Sequence, residues 1–355
     1  MLTAKENMRR TIEIAKNPDG PKPDRFVNQY EALQIAINPF FLWSPSPQKG
    51  EMDVENLWGV INSFPSHVPG PFPEHTPEKT LIKDIECWRD YVKIPDLKKM
   101  PQELWDICKG MVDAIDGEKS FKGVFVAPGL FEQTHHFCSM QEALVNFLEY
   151  EDEMHDLIKM LTEWELELAD MICSKLHPDV CFHHDDFGTE RNSFMAPEVE
   201  EEFLLEPYKE IYKYYHEHGC DYVVHHSDSY GANLLPMMVE MGIDVWQGPM
   251  RTNHVDELLP EWRDKICFMG NIDNKLVDFD GWTDEDCEKA AHLGTDDFDP
   301  MLGGYIPCIT QGGPGSVYPG TYAKIAEYID QINVERFGGT VEEIEAARMP
   351  HQIMF

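Results

Sequence analysis

Two short apolar runs, each stopping on histidines and acids, constrain this chain most: 180–188 (VCFHHDDFG) and 221–231 (DYVVHHSDSYG). Side chains of a strand alternate between its faces. In the first run His184 and Asp186 therefore share one face, and His183 and Asp185 the other. In the second, His226 and Asp228 share a face. About forty residues part the runs and a helix-like segment lies between them, which is how a β/α barrel gathers chemistry at the carboxyl ends of parallel strands.

Five further strand candidates fit that frame: 25–30, 123–128, 244–247, 266–271 and 304–310. Helical segments separate the later ones. Ser139 followed by Glu142 makes a capping-box start for a helical region reaching about 176. Pro197 suits the first turn of another helix, with a break at Pro207 and a stop at Gly219. Helices also fit 255–262, 285–292 (capped by Thr283) and 322–337, which stops at Gly338. Seven strands alternating with helices predict an α/β (β/α)8 TIM barrel with one strand unread. Residues 1–24 read as an N-terminal helical arm, and 44–80 as a Pro-rich insertion. Aromatic residues such as Trp58 and Phe72 favour a packed lid there. We read 1–355 as a single barrel domain, since such barrels commonly exceed 250 residues.

Composition excludes several classes. A net charge of −36, from 65 Asp and Glu against 29 Lys and Arg, opposes nucleic-acid binding and polyanionic substrates. It suits an acidic surface, solubilising or able to dock a protein partner. The polar start (MLTAKENMRR) and the lack of a long apolar stretch predict neither signal peptide nor membrane span. Nine cysteines, an odd number without CxxC pairs, fit a reducing cytoplasm. Nothing here opposes a homodimer.

The strand ends together hold Gln29 and Tyr30, Pro128, His184 and Asp186, His226 and Asp228, Gln247, Asn271 and Asp273, and Cys308. Imidazole, carboxylate and thiolate suit Zn²⁺, which in catalytic sites keeps a position open. His226, Asp228 and Cys308 are the expected ligands. Asp185 and Asp186 serve either as a carboxyl pair with split pKa values, or structurally, one of them capping a helix or pairing with a Lys. His183 and His225 should face the helix layer. Phe131, Phe137, Phe187 and Phe194 are candidates for an apolar pocket or for the core, Phe131 and Phe187 being the expected substrate contacts, and His135 and His136 for the pocket's lining or for the surface. The Gly-rich run 311–322 reads as a turn before a helix.

The run HHDDFGTERNSFMAPEVEEEFLLEPYKEIYKYYHEHG, followed by VVHHSDSYG, GIDVWQGP and ICFMGNID, resembles the uroporphyrinogen decarboxylase superfamily. The resemblance implies a (β/α)8 barrel with its active site in the carboxyl-end cleft. True decarboxylases of that superfamily carry an Arg-rich "MRQAGR"-type segment that grips substrate carboxylates. Here the corresponding stretch reads DRFVNQYEA. The other branch holds zinc- and corrinoid-dependent methyltransferases, whose coenzyme M members use an H-x-C motif with a distant Cys. This chain has His226-Ser227-Asp228 with Cys308, a carboxylate replacing one thiolate. PDRFVNQYE, VFVAPGLFEQTHHFCSMQEAL and DDFGTE are similar to the O-demethylating methyltransferases.

What this implies is transfer of a methyl group from a methoxylated aromatic to the Co(I) corrinoid (cobalamin) of a partner protein. Zn²⁺ would act on the ether oxygen. Asp186 or His184 would protonate the departing phenolate, and Gln29 or Tyr30 would orient polar substituents. Glu190 and Glu206 stay open as further ligands. The alternatives are a cofactor-free decarboxylase, a methylcobalamin:thiol methyltransferase, and a non-catalytic module that binds a corrinoid protein.

Overall fold

The computed structural model describes residues 1–350 apart from Pro69. Seven strands form one curled, all-parallel sheet in sequence order: β1 (Leu33–Ile37), β2 (Phe121–Val126), β3 (Val180–His184), β4 (Tyr222–His226), β5 (Val245–Gln247), β6 (Cys267–Ile272) and β7 (Tyr305–Ile309). The helices that cover it include α1 (Ala4–Lys16), α2 (Gln102–Asp113), α3 (Leu130–Cys138), α4 (Met140–Glu149), α5 (Glu151–Leu176) and α6 (Glu206–Glu217). They continue with α7 (Leu235–Met241), α8 (Val255–Trp262), α9 (Asp284–Thr295), α10 (Thr321–Phe337) and α11 (Val341–Ala347). This is the expected barrel architecture, with seven strands joined by ladders among the described residues.

Strand alternation divides the core in two. Phe182, Val224, Val245, Met269, Ile306 and Cys308 fill the inside of the curl, while Cys181, Val223, Trp246 and Phe268 pack outward against the helices. The inner side is therefore a packed core that leaves its chemistry at the carboxyl rim.

The first strand differs from expectation. Residues 25–30 are irregular and run into a turn at Gln29 and Tyr30, and the strand lies at Leu33–Ile37. Asn28 and Gln29 explain the shift, because their side chains are taken up by other elements. Asn28 Nδ2 donates to Ala326 O and Asp330 Oδ1, each at 2.7 Å. Gln29, at φ +52°, donates its N–H to Pro307 O at 3.2 Å and its amide to Tyr322 O at 3.3 Å. The segment thus seals the gap between β7 and β1, where no ladder forms.

Three other expectations shift in detail. The helical region after Ser139 is two helices, divided at Tyr150 (φ −132°, ψ 54°). Pro207 does not break its helix: a π-helical turn over Glu201–Leu205 precedes α6, and the proline sits in the first turn of α6, where a missing N–H costs little. The Pro-rich insertion is more regular than its composition suggests. It carries an antiparallel sheet of Val54–Glu55, Ile61–Ser63 and Phe72–Pro73. Its Trp58 packs on Trp164 of α5 (4.8 Å between ring centres) and Phe137 of α3 (5.6 Å). Thr283 caps α9 in a full capping box, as its sequence predicts.

Candidate functional site

The site is built from strand ends by alternation. His184 and His226 stand directly opposite in the β3–β4 register, facing inward, with rings stacked at 4.5 Å. Their neighbours His183 and His225 face the helices, as expected. His183 Nε2 lies 2.6 Å from Glu165 Oε1 of α5, and His225 Nδ1 lies 2.6 Å from Tyr212 Oη of α6.

Asp185 resolves one open alternative, since it caps a helix. Its carboxylate accepts the N–H groups of Phe131 (2.9 Å) and Glu132 (2.8 Å) at the start of α3, and the Tyr208 hydroxyl. Two backbone donors at a helix N-terminus are a favourable anion seat. Gly129 is required for this approach: a Cβ there would stand 2.4 Å from Asp185 Cβ and 2.5 Å from the Tyr208 oxygen. The cap in turn aims Glu132 back at the mouth, where its Oε2 lies 2.9 Å from His184 Nδ1.

His184, Asp186 and His226 each offer a ligand atom, and these atoms lie within 4.8 Å of one another. Asp186 Oδ1 also accepts the Asp228 N–H at 3.0 Å, which closes the β3 and β4 ends together. His226 Nδ1 meets Gln247 Oε1 on β5. Of the expected zinc ligands, only His226 belongs to this trio. The trio draws in His184 and Asp186, expected as catalytic groups.

The other expected residues lie as follows. Asp228 is at the edge of the trio, its backbone bound to Asp186. Cys308 sits on β7 beneath Gln247, whose Nε2 is 4.0 Å from its sulfur, and burial pushes its thiol well up. Glu190 pairs with Lys275, and Glu206 is exposed on α6 beside Lys209, so neither joins the trio. Tyr30 is fully buried on the inner side, and among the described residues its hydroxyl has no hydrogen-bond partner. Gln29 is spent on the β7–β1 gap. Phe131 and Phe187 do not line the mouth: Phe131 stacks on Phe147 and Phe194, and Phe187 on the outward-facing His225. Aromatic groups beside the trio are instead Phe125 of β2, 6.1 Å from the His184 ring and with Phe41 stacked on it at 5.4 Å, and Phe182 of β3, stacked 6.3 Å from the His226 ring. His135 and His136 end α3, half-buried. Burial and the neighbouring His135 hold His136 down to about 4.

Charge in the cluster follows burial and pairing. Burial alone would lower His184, but the facing Glu132 carboxylate outweighs it and raises it to about 10. Burial would likewise raise Glu132, yet His184 draws it down to about 2. Burial and the charge on His184 depress His226 to about 3, so this imidazole is neutral. Asp186 is raised by burial to about 6, with His184 opposing, and Asp228 by burial and then Asp186 to about 8. The split carboxyl pair anticipated at Asp185–Asp186 is therefore Asp186–Asp228, formed across two strands. Near neutrality one member is largely ionised and the other largely protonated.

The residues present suit a divalent metal. Two imidazoles and a carboxylate converge, His226 is already neutral, and a carboxylate behind His184 is the usual outer partner of a ligating histidine. Sequence reasoning missed Glu132, although it stands in the first turn after a strand ending in Pro128, where strand-end chemistry is expected.

Fold and site together define a barrel protein with histidines and acids gathered at the carboxyl ends of its strands. The chain belongs to the uroporphyrinogen decarboxylase family, whose model matches residues 70–297. Among solved structures, a methyltransferase from Methanosarcina mazei shares the fold, with a TM-score of 0.64 at 12% identity over 94% of this chain and 99% of that one. No curated protein matches the chain. Among the described residues, no helix is long and apolar enough to cross a membrane.

Proposed function

We propose that this chain is a zinc-dependent methyltransferase. It moves a methyl group from a methoxylated aromatic to the Co(I) corrinoid of a partner protein, with residues 1–355 acting as one barrel domain. The observation that carries this reading is the His184–Asp186–His226 trio at adjacent strand ends, in a fold shared with a methyltransferase.

His184, Asp186 and His226 would hold the metal. When bound, zinc supplies Lewis acidity toward the ether oxygen. Phe125 and Phe41 form an aromatic wall against which the ring of the substrate stacks. Tyr30, whose hydroxyl is buried and unpartnered, donates to a polar substituent of that ring. As the methyl–oxygen bond breaks, its electron pair stays on the phenolate oxygen. Asp228, carrying a proton near neutrality, delivers it there. Burial, and after it the neighbouring Asp186 carboxylate, favour that proton on Asp228 in the metal-free protein. Glu132 holds the His184 ring in place throughout.

The test combines metal analysis with cobalt spectroscopy. Purified protein should contain stoichiometric zinc. Adding a methoxyarene and Co(I) corrinoid protein should produce the methyl–cobalt absorption, and a chelator should abolish it. Methyl–cobalt formation undiminished in metal-free protein would sink the role of zinc, and a protein that holds no zinc and forms no methyl–cobalt would favour the cofactor-free decarboxylase.

A further inference from the structure

Gln247, the last residue of β5, is fully buried between the candidate metal site and β7. Its Nε2 donates to the carbonyls of Ile309 and Thr310, each at 3.2 Å. Carbonyls only accept, so the NH₂ end must face β7 and the amide has one permitted orientation. Its Oε1 then faces His226 Nδ1. Oε1 can only accept, which requires the proton of a neutral imidazole to sit on Nδ1. The Nε2 lone pair is left free.

We propose that Gln247 is a positioning residue: it selects the Nδ1–H tautomer of His226 and so presents Nε2 as an electron-pair donor beside His184 and Asp186. The assignment rests on His226 being a ligand, as read above, but the tautomer is a property of the metal-free protein. An amide suits position 247 where a carboxylate would not, because a carboxylate would set its own lone pairs against the two β7 carbonyls. The two imidazoles are thereby held by different partners, His184 by an anion and His226 by a neutral group. The same amide ties the orientation of His226, on β4, to β7, three strands away.

Long-range ¹H–¹⁵N spectra of histidine-labelled, metal-free protein at neutral pH read the tautomer directly, with His226 assigned from its absence in His226→Ala. The wild type should show Nδ1–H at His226; an Nε2–H or doubly protonated ring there overturns the proposal without any variant. In Gln247→Met the Nε2–H form should become populated, and zinc affinity by chelator competition should fall ten- to a hundredfold. An unchanged tautomer and zinc affinity in Gln247→Met would refute a positioning role. If the wild type binds no zinc, the methyltransferase reading fails while the tautomer result still decides the role of Gln247.

Discussion

Glu132 illustrates how much a single carboxylate determines. It is the group that keeps His184 protonated against burial in the metal-free protein. In Glu132→Gln the largest raising charge is lost while Asp186 and Asp185 remain, so a titration followed by NMR should find His184 losing its proton at a lower pH than in the wild type. Methyl transfer should drop ten- to a hundredfold, the usual cost of removing the outer partner of a ligating histidine. Glu200 presents the opposite case. It is almost wholly buried, accepts only the Met195 N–H through one oxygen, and leaves the other unpartnered. Burial raises it to about 9. The folded state therefore keeps a proton that the unfolded chain releases above its ordinary range near 4.5. Between these values the unfolded state binds fewer protons, and stability falls as pH rises. Glu200→Gln should flatten that slope and stabilise the fold at pH 8 by about 1–3 kcal/mol, the cost of a badly satisfied buried polar group. Denaturant melts at pH 5 and pH 8 measure it; an equal effect at both pH values would refute it.

At the scale of elements, the mouth depends on how α3 is launched from β2. Asp185 reaches from β3 to cap α3, and Gly129 leaves the room for it. Gly129→Ala should therefore act at a distance. It should displace Asp185, loosen the first turn of α3 and withdraw Glu132 from His184. Thermal melts should show a loss of about 1–3 kcal/mol, in the range of overpacking, together with a fall in zinc affinity. Asp185→Ala should cost about 1 kcal/mol through the lost cap alone. Period-two alternation made the inward and outward members of both histidine pairs readable in the sequence, because a strand has only two faces. The function of Asp185 was readable only as one of two options, since choosing needed to know that α3 starts beneath β3. Phe131 and Phe187 were misplaced for the same reason: an aromatic residue near a strand end packs into either layer, and its composition does not say which. Asn28 and Gln29 hid the true first strand by bonding elements some 300 residues later in the chain.

For the whole molecule, the barrel class was legible because seven strand-like runs alternate with helices, a pattern with few solutions. What pattern did not show was how the curl ends. On its open side a buried ionic group joins both ends of the chain: Arg25 and Arg348 converge on Glu31, and Arg348 also meets Asp330 at 2.7 Å. Removing one member of a buried group leaves uncompensated charge. Arg348→Ala should cost about 3 kcal/mol and lower the melting temperature by several degrees. A melt within experimental error of the wild type would show that the group contributes nothing.

The joint between β7 and β1 has a mechanical meaning. Every other neighbouring pair of strands in the sheet shares a ladder, whereas here the segment carrying Gln29 bridges with one backbone bond to Pro307 and a few side-chain bonds. The cylinder is in effect a split ring, and its slit runs past Tyr30 and Cys308 on the inner wall. A split ring yields most easily at its slit, so opening of the inner wall is expected there before the laddered β3–β4 edge. Amide hydrogen exchange should find the fastest-opening part of the inner wall around Gln29 and Tyr30.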